Sequence, residues 1–346
     1  MRDCLRRICA VGVGVAAAAT PATAQSDDIV AFYAGKTITF VSGSSPGGSY
    51  DVGSRLIARH LGRHIPGKPN VIVQNMPGAG SVAAANHLYA IAAKDGSVIG
   101  MFGRGLYLDA LFGAASVRFD PRRFGWIGSH AREVGTLVAG IDTPFKTLAD
   151  AQAREMVVST APPGSDAHSF GIVLNALVGT KLRIVSGYPG MAEQLKAIDS
   201  GEVQGNPGAS TGTLMALRPH WLKEPGKASF LAQLAAEPHP VFLKGVPLAL
   251  DRARNDLDRQ ALALILTRME IAYAFTAPPD LPPARLAALR AAFDAAVKDP
   301  EFLADAERIN ADVHAVQGVR IGEIIARAYA SSPEVIARAK AALEGK

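Results

Sequence analysis

The chain reads as an α/β protein of two domains, each a parallel-rich sheet flanked by helices. Three observations predict this. A strand, a glycine-rich loop and a helix recur along the chain, in two separate sets. The connections are short, which favours parallel strands joined by helical crossovers. The 346 residues are enough for two modest α/β domains, and they show no repeat of fixed period.

The first element is a leader. Arg2, Arg6 and Arg7 form a positive stretch, Ile8 to Ala19 an apolar one, and Ala22-Thr23-Ala24 a small-x-small cleavage pattern. A bilayer span needs about 20 apolar residues, so this segment is too short to be one. No cysteine follows the cleavage pattern, which argues against a lipid anchor, and the residues around Arg6-Arg7 fit twin-arginine export poorly. Residues 1–24 are expected to be a signal peptide for Sec export, cleaved near Ala24 or Gln25. Both cysteines, Cys4 and Cys9, lie in it. A mature chain without cysteine has no disulfide framework, no thiolate metal site and no cysteine nucleophile. It also suits an oxidising compartment. Losing three arginines and Asp3 with the leader lowers the formal charge from +5 to +3. No basic cluster is interleaved with aromatics, and aromatic residues are 6% of the chain, so nucleic acid is not an expected partner. No later segment is apolar enough to span a membrane.

The next elements follow in order. Ile38 to Val41 is a β-branched and aromatic run, followed by the loop Ser42 to Ser49. Val52, Leu56, Ile57 and Leu61 then recur at helical spacing, with Gly62 as the expected stop. Val71-Ile72-Val73 is a second strand, Asn75 to Ser81 its loop, and Val82 to Ala92 its helix. Val98 to Phe102 is a third strand leading into Gly103-Arg104-Gly105. The second set starts with the strand Met156 to Ser159 and the loop Ala161 to Asp166. The helix Ala167 to Val178 ends at Gly179. The strand Leu182 to Val185, the loop Ser186 to Gly190 and the helix Met191 to Ser200 complete it. Leu281-Pro282-Pro283 opens a later helix that carries Leu286, Leu289 and Phe293.

Parallel sheets bind ligands beyond the carboxyl ends of their strands, where these glycine-rich loops lie. Glycine lets the backbone approach a ligand closely. The helix that follows offers unpaired N–H groups and a partial positive charge. Together they make an anion site that needs no lysine or arginine. A single such loop is equally an ordinary tight turn; two on adjacent strands, with a comparable pair in the second set, point to a site.

Thr39-Phe40-Val41 through Pro46-Gly47-Gly48-Ser49-Tyr50-Asp51, with Arg55-Leu56 in the next helix, resembles the first signature of the Bug family. These are the TctC-like periplasmic solute-binding receptors of tripartite tricarboxylate transporters. Val73 to Ser81 is similar to the second signature. Ala93-Lys94-Asp95-Gly96, Val185 to Gly190 and Lys298-Asp299-Pro300-Glu301-Phe302 fit as well. The resemblance implies a periplasmic-binding-protein (flytrap) fold that closes on a carboxylate. It implies domain I at 36–132 plus 274–346 and domain II at 133–273. Leu137-Val138-Ala139 and Ala272-Tyr273-Ala274-Phe275 would be the crossings. It places the ligand carboxylate against Ser44, Ser45, Pro46, Gly47, Gly48, Ser49 and Tyr50 in one loop. Gly78, Ala79, Gly80 and Ser81 supply the other. Ser165, Asp166, His168 and Tyr188 would set specificity from domain II. Many relatives are acidic where this chain has Gln204 and basic or bulkier near Asn206, so these residues are expected to shape a different distal pocket.

Other residues admit two readings. Asp51 stands where a helix begins and is an N-cap, or else a water-mediated contact. Arg104 pairs with a distal ligand carboxylate or lies on the surface. His168 is a cap or packing residue, or a ligand contact. Tyr188 offers an apolar face and a hydroxyl. Gly12 to Ala17 matches a dinucleotide fingerprint but falls in the leader, and Gly35-Lys36-Thr37 precedes a strand rather than a helix. His60 and His64 share a helix face without a third ligand, so no metal is expected.

The expected function is a periplasmic receptor that captures a small carboxylate by domain closure and passes it to the membrane subunits of a transporter. It is expected to act as a monomer, with no cofactor. A sensor without transport is the first alternative. A serine esterase is the second: Gly43-Ser44-Ser45-Pro46-Gly47 fits the nucleophile-elbow pattern. There, however, Pro46 follows Ser45 and has no N–H to give an oxyanion.

Overall fold

The computed structural model describes residues 22–346, with side-chain surroundings from Asp28 onward. Cys4, Cys9 and the leader up to residue 21 lie outside the described residues. Ala22, Thr23 and Ala24 open the helix Ala22–Tyr33.

The first sheet has six strands. Its parallel part is built from β1 (Thr37–Ser42), β2 (Asn70–Asn75) and β3 (Val98–Met101), with β1 between the other two. Phe40 pairs with Val73 on one side and Ile99 on the other. β4 (Gly125–Ser129), β10 (Ala274–Ala277) and β11 (Val316–Gln317) extend it antiparallel, in the order β11-β4-β10-β3-β1-β2. The second sheet holds β5 (Gly135–Gly140), β6 (Met156–Thr160), β7 (Leu182–Ser186), β8 (Gly205–Ser210) and β9 (Ala228–Leu234), in the order β7-β6-β8-β5-β9. β6 pairs parallel with β7 and β8, and β5 pairs antiparallel with β8 and β9. The strands expected to be parallel are so; each sheet is mixed because β5 and β10, the first strands after the chain changes sheet, run against the parallel set.

The chain passes from β4 to β5 through 130–134 and returns through 271–273. Leu137-Val138-Ala139, expected as a crossing, instead lies inside β5, buried and paired on both sides. The two crossings run side by side: the Glu133 N–H donates to the Met269 carbonyl at 3.0 Å and the Tyr273 N–H to Ser129 Oγ at 3.1 Å.

β8, with the sequence Gly-Asn-Pro-Gly-Ala-Ser, carries no strand signal and was not expected. It forms because its position demands small residues: a Cβ on Gly208 would stand 2.5 Å from the Ala167 backbone. Gln204 and Asn206 do not shape a pocket. Gln204 Oε1 accepts from the Val157 N–H at 2.8 Å. Asn206 is fully buried, donating to the Ser159 carbonyl and Gln194 Oε1 and accepting from the Gly208 N–H. Both side chains are consumed in holding β6, β8 and the helix Met191–Asp199 together.

The helix Ser49–His64 buries Leu56, Ile57 and Leu61. It runs past Gly62 because its last turn is held from outside: His60 Nε2 and Asp305 Oδ2, and His64 Nε2 and Asp299 Oδ2, each lie 2.9 Å apart. The two histidines thus face separate carboxylates rather than a shared metal. Phe40, Phe275, Phe293 and Phe302 fill the core under this helix. Another apolar core, including Leu88, Trp126, Phe170, Leu266 and Ile325, is continuous between the two sheets. The last helix, Pro333–Leu343, packs on the helices Asp256–Glu270 and Asp166–Val173, where Arg338 Nε donates to Asp258 Oδ1 at 2.6 Å.

Candidate functional site

The loop after β1 and the loop after β2 are locked to each other. Asn75, which ends β2, donates its amide to the Ser44 carbonyl at 2.9 Å and to Asp51 Oδ1 at 2.7 Å. Asp51 Oδ2 accepts from the Gly47 N–H at 2.8 Å and from Arg55 Nε at 3.0 Å. Asp51 is therefore not the N-cap of its helix. Gly48 holds that position, and Asp51, in the first turn, reaches back over it. Burial pushes the Asp51 carboxyl up, but hydrogen bonds from Arg55, Gly47 and Asn75 outweigh it and hold the group below its ordinary 3.8.

Closer in, Ser81 Oγ donates to the Gly43 carbonyl at 2.9 Å. A Cβ on Gly43 would meet the Ser81 Cβ at 2.6 Å, so only glycine allows this approach. The second loop is strained: Ala79 (φ 46°), Gly80 (φ 64°) and Ser81 (φ 79°) are left-handed in succession. Non-glycine residues adopt this region seldom, and such strain collects at functional sites.

These constraints leave donors free. Gly48 has no side chain with which to cap its helix. Among the described residues, the N–H groups of Ser44, Ser45, Ser49 and Tyr50 make no hydrogen bond, and neither do those of Ala79, Gly80 and Ser81. Pro46 contributes no donor. Two sets of orphan N–H groups, one at the start of a 16-residue helix, are donors of the kind an anion takes.

The opposite side of the site is charged. Tyr50 Oη accepts from the Arg104 N–H at 3.0 Å, and its ring lies 5.6 Å from that of Tyr273. Arg104 extends from the loop after β3 to the second sheet's side. There its Nε and Nη2 donate to Asp166 Oδ2 at 2.8 and 2.5 Å, and its Nη1 donates to Glu133. Arg268 donates to Asp166 Oδ1. Neither expected reading of Arg104 holds: it lies neither on the surface nor free for a ligand, because two protein carboxylates occupy it. Burial pulls its charge down, yet Asp166 and Glu133 raise its pKa well above the ordinary value. Burial pushes the Asp166 carboxyl up, and the two guanidiniums hold it far below the usual range. Burial also raises the Tyr50 phenol.

Ser165 and His168 sit at the start of the helix Asp166–Val173. Ser165 is its N-cap and accepts from the His168 N–H at 3.4 Å. Tyr188 is not brought to the cluster. Its hydroxyl donates to Glu202 Oε1 at 2.6 Å, and Glu202 lies past the far end of the helix Met191–Asp199. Asn75, Glu133, Arg268 and Tyr273 belong to the site without having been singled out. Asn75 follows a strand and was open to notice. Glu133, Arg268 and Tyr273 lie on or beside the crossings and have no local signal. Ser45 Oγ makes no hydrogen bond to a base among the described residues. A cavity of about 660 Å³ is lined by the crossing residues Arg132, Glu133 and Val134 together with Glu237, Glu270, Asp294 and Lys298. The described residues hold no cluster of three or more metal-ligating side chains and no helix long and apolar enough to cross a membrane.

Neither a family model nor a curated protein matches the sequence. Solved structures do match. A TctC solute-binding protein from Polaromonas, without ligand, superposes with a TM-score of 0.66 at 21% identity, covering 85% of this chain and 96% of that one. MatC from Rhodopseudomonas palustris, with bound malate, gives 0.61 at 20% identity, covering 89% and 99%. The periplasmic binding protein BugD gives 0.62 at 18% identity, covering 89% and 97%. The chain has the two-domain α/β fold of these solute-binding proteins.

Proposed function

We propose that the chain is a Bug-type receptor that works outside the cytoplasmic membrane, captures a small carboxylate between its two domains and delivers it to membrane subunits. The observation that carries this reading is the pair of loops locked to each other, whose orphan N–H groups include no lysine or arginine. Backbone donors at a helix start suit a carboxylate. The shared fold and the malate bound by MatC support the same ligand class.

In this reading domain I is 36–132 plus 274–346 and domain II is 133–273, with 130–134 and 271–273 as the hinge. Ligand bridges the domains and shifts the population toward a closed form that a membrane partner recognises. No chemistry is needed, and Ser45, next to Pro46 and without a base, is not a nucleophile.

A thermal-shift screen of the ligand-stripped chain tests this, with carboxylates as probes and neutral sugars and esters as controls. A carboxylate at 100 times its dissociation constant stabilises by about 2.7 kcal/mol, a shift of several degrees. The reading fails if no acid shifts the melting temperature, or if only an uncharged compound does.

A further inference from the structure

The three cations beside the loops are already matched. Arg55 is held by Asp51 and Asn75. Arg104 and Arg268 share Asp166 and Glu133, two guanidiniums against two carboxylates. Arg104, Glu133 and Arg268 keep 10% or less of their side chains exposed, and Asp166 keeps 25%. Asp109 adds a further carboxyl near Arg268. The group in this cluster that a ligand meets first is therefore an anion. A ligand whose carboxylate lies on the N–H groups of Ser49 and Tyr50 extends past Tyr50 toward it. A second carboxylate at that end finds no free cation and faces Asp166, and like charges in a partly desolvated site repel.

We infer that the site selects monocarboxylates, and that Asp166 is the residue that excludes a second carboxylate. This rests on the receptor reading above and departs from a dicarboxylate such as malate. The ligand has one carboxylate for the loops and an uncharged far end.

Binding of matched pairs by titration calorimetry tests it: hexanoate and adipate, 3-hydroxybutyrate and malate, benzoate and terephthalate. In the wild-type chain the monoacid of a pair binds at least tenfold more tightly than its diacid. Asp166→Asn frees positive charge and moves that preference at least tenfold toward the diacid. The double variant Asp166→Asn/Arg268→Gln removes one charge of each sign and keeps the wild-type preference. Arg268→Gln leaves a surplus carboxylate, moves the preference the other way, and tests the same rule where Asp166→Asn does not fold. A diacid that binds the wild-type chain as tightly as its monoacid overturns the inference. So does an Asp166→Asn variant that folds with an unchanged preference. Absence of binding by every acid to every chain overturns the receptor reading itself.

Discussion

In the first domain, the helix after β1 begins at Ser49 with no side chain over its free N–H groups. In the second, the helix after β6 begins at Asp166 beneath the hydroxyl of Ser165, with a carboxylate in its first turn. Both follow a strand and a glycine-containing loop. At the first helix start the local carboxylate, Asp51, is turned back onto Gly47, Arg55 and Asn75, and the N–H groups of Ser49 and Tyr50 make no hydrogen bond among the described residues. The second differs in one capped donor and in its carboxylate: Ser165 takes the His168 N–H, Asp166 meets the helix dipole, and two arginines take up Asp166. A glycine-rich strand-to-helix loop is therefore not in itself an anion site. What decides is whether the chain's own side chains have taken the donors.

The largest test of this contrast is Gly43→Val. The added atoms drive Ser81 away, and the two loops separate. We expect a loss of about 3 kcal/mol and loss of carboxylate binding by at least 100-fold, read by thermal unfolding and calorimetry. Next is Asp51→Ala, which releases the Gly47 N–H and takes one partner each from Asn75 and Arg55, at a cost of about 2 kcal/mol. Because the Asp51 pKa is depressed, its contribution is fully present above the unfolded value and is lost as pH falls through the folded value. Denaturant unfolding of the Asp51→Ala chain below pH 4 should show a shallower acid limb than the wild type; an unchanged limb refutes the role given to this carboxylate. Ser165→Ala makes the second domain's helix start more like the first at about 1 kcal/mol, a small drop in the denaturation midpoint. Tyr188→Phe removes a hydrogen bond to an exposed carboxylate outside the cluster. Stability should change by less than about 0.5 kcal/mol, and affinity by less than twofold.

Local chemistry was readable where one segment decides its own conformation. β1, β2, β3, β6 and β7 are runs of β-branched and aromatic residues, and each stands where those runs lie. The paired loops were readable too, since strand, glycine and helix start are contiguous. β8 was not, because a glycine- and proline-rich strand is stable only where Ala167 presses against it. Nor was the fate of Asp51, since an aspartate near a helix start predicts a cap, whereas its partner Asn75 comes from the next strand.

By itself, then, the sequence determined the α/β class, the strands β1, β2, β3, β6 and β7, and the two loops that follow β1 and β2. These follow from short-range sterics and hydrophobic periodicity, which act over a few residues. Only the tertiary structure decided what faces those loops. Arg104, Glu133, Asp166 and Arg268 are far apart in the chain; Arg104 and Asp166 read as candidate ligand contacts, whereas Glu133 and Arg268 carry no local signal. They meet beside the two crossings, and there their charges cancel, with only Asp166 more than a tenth exposed.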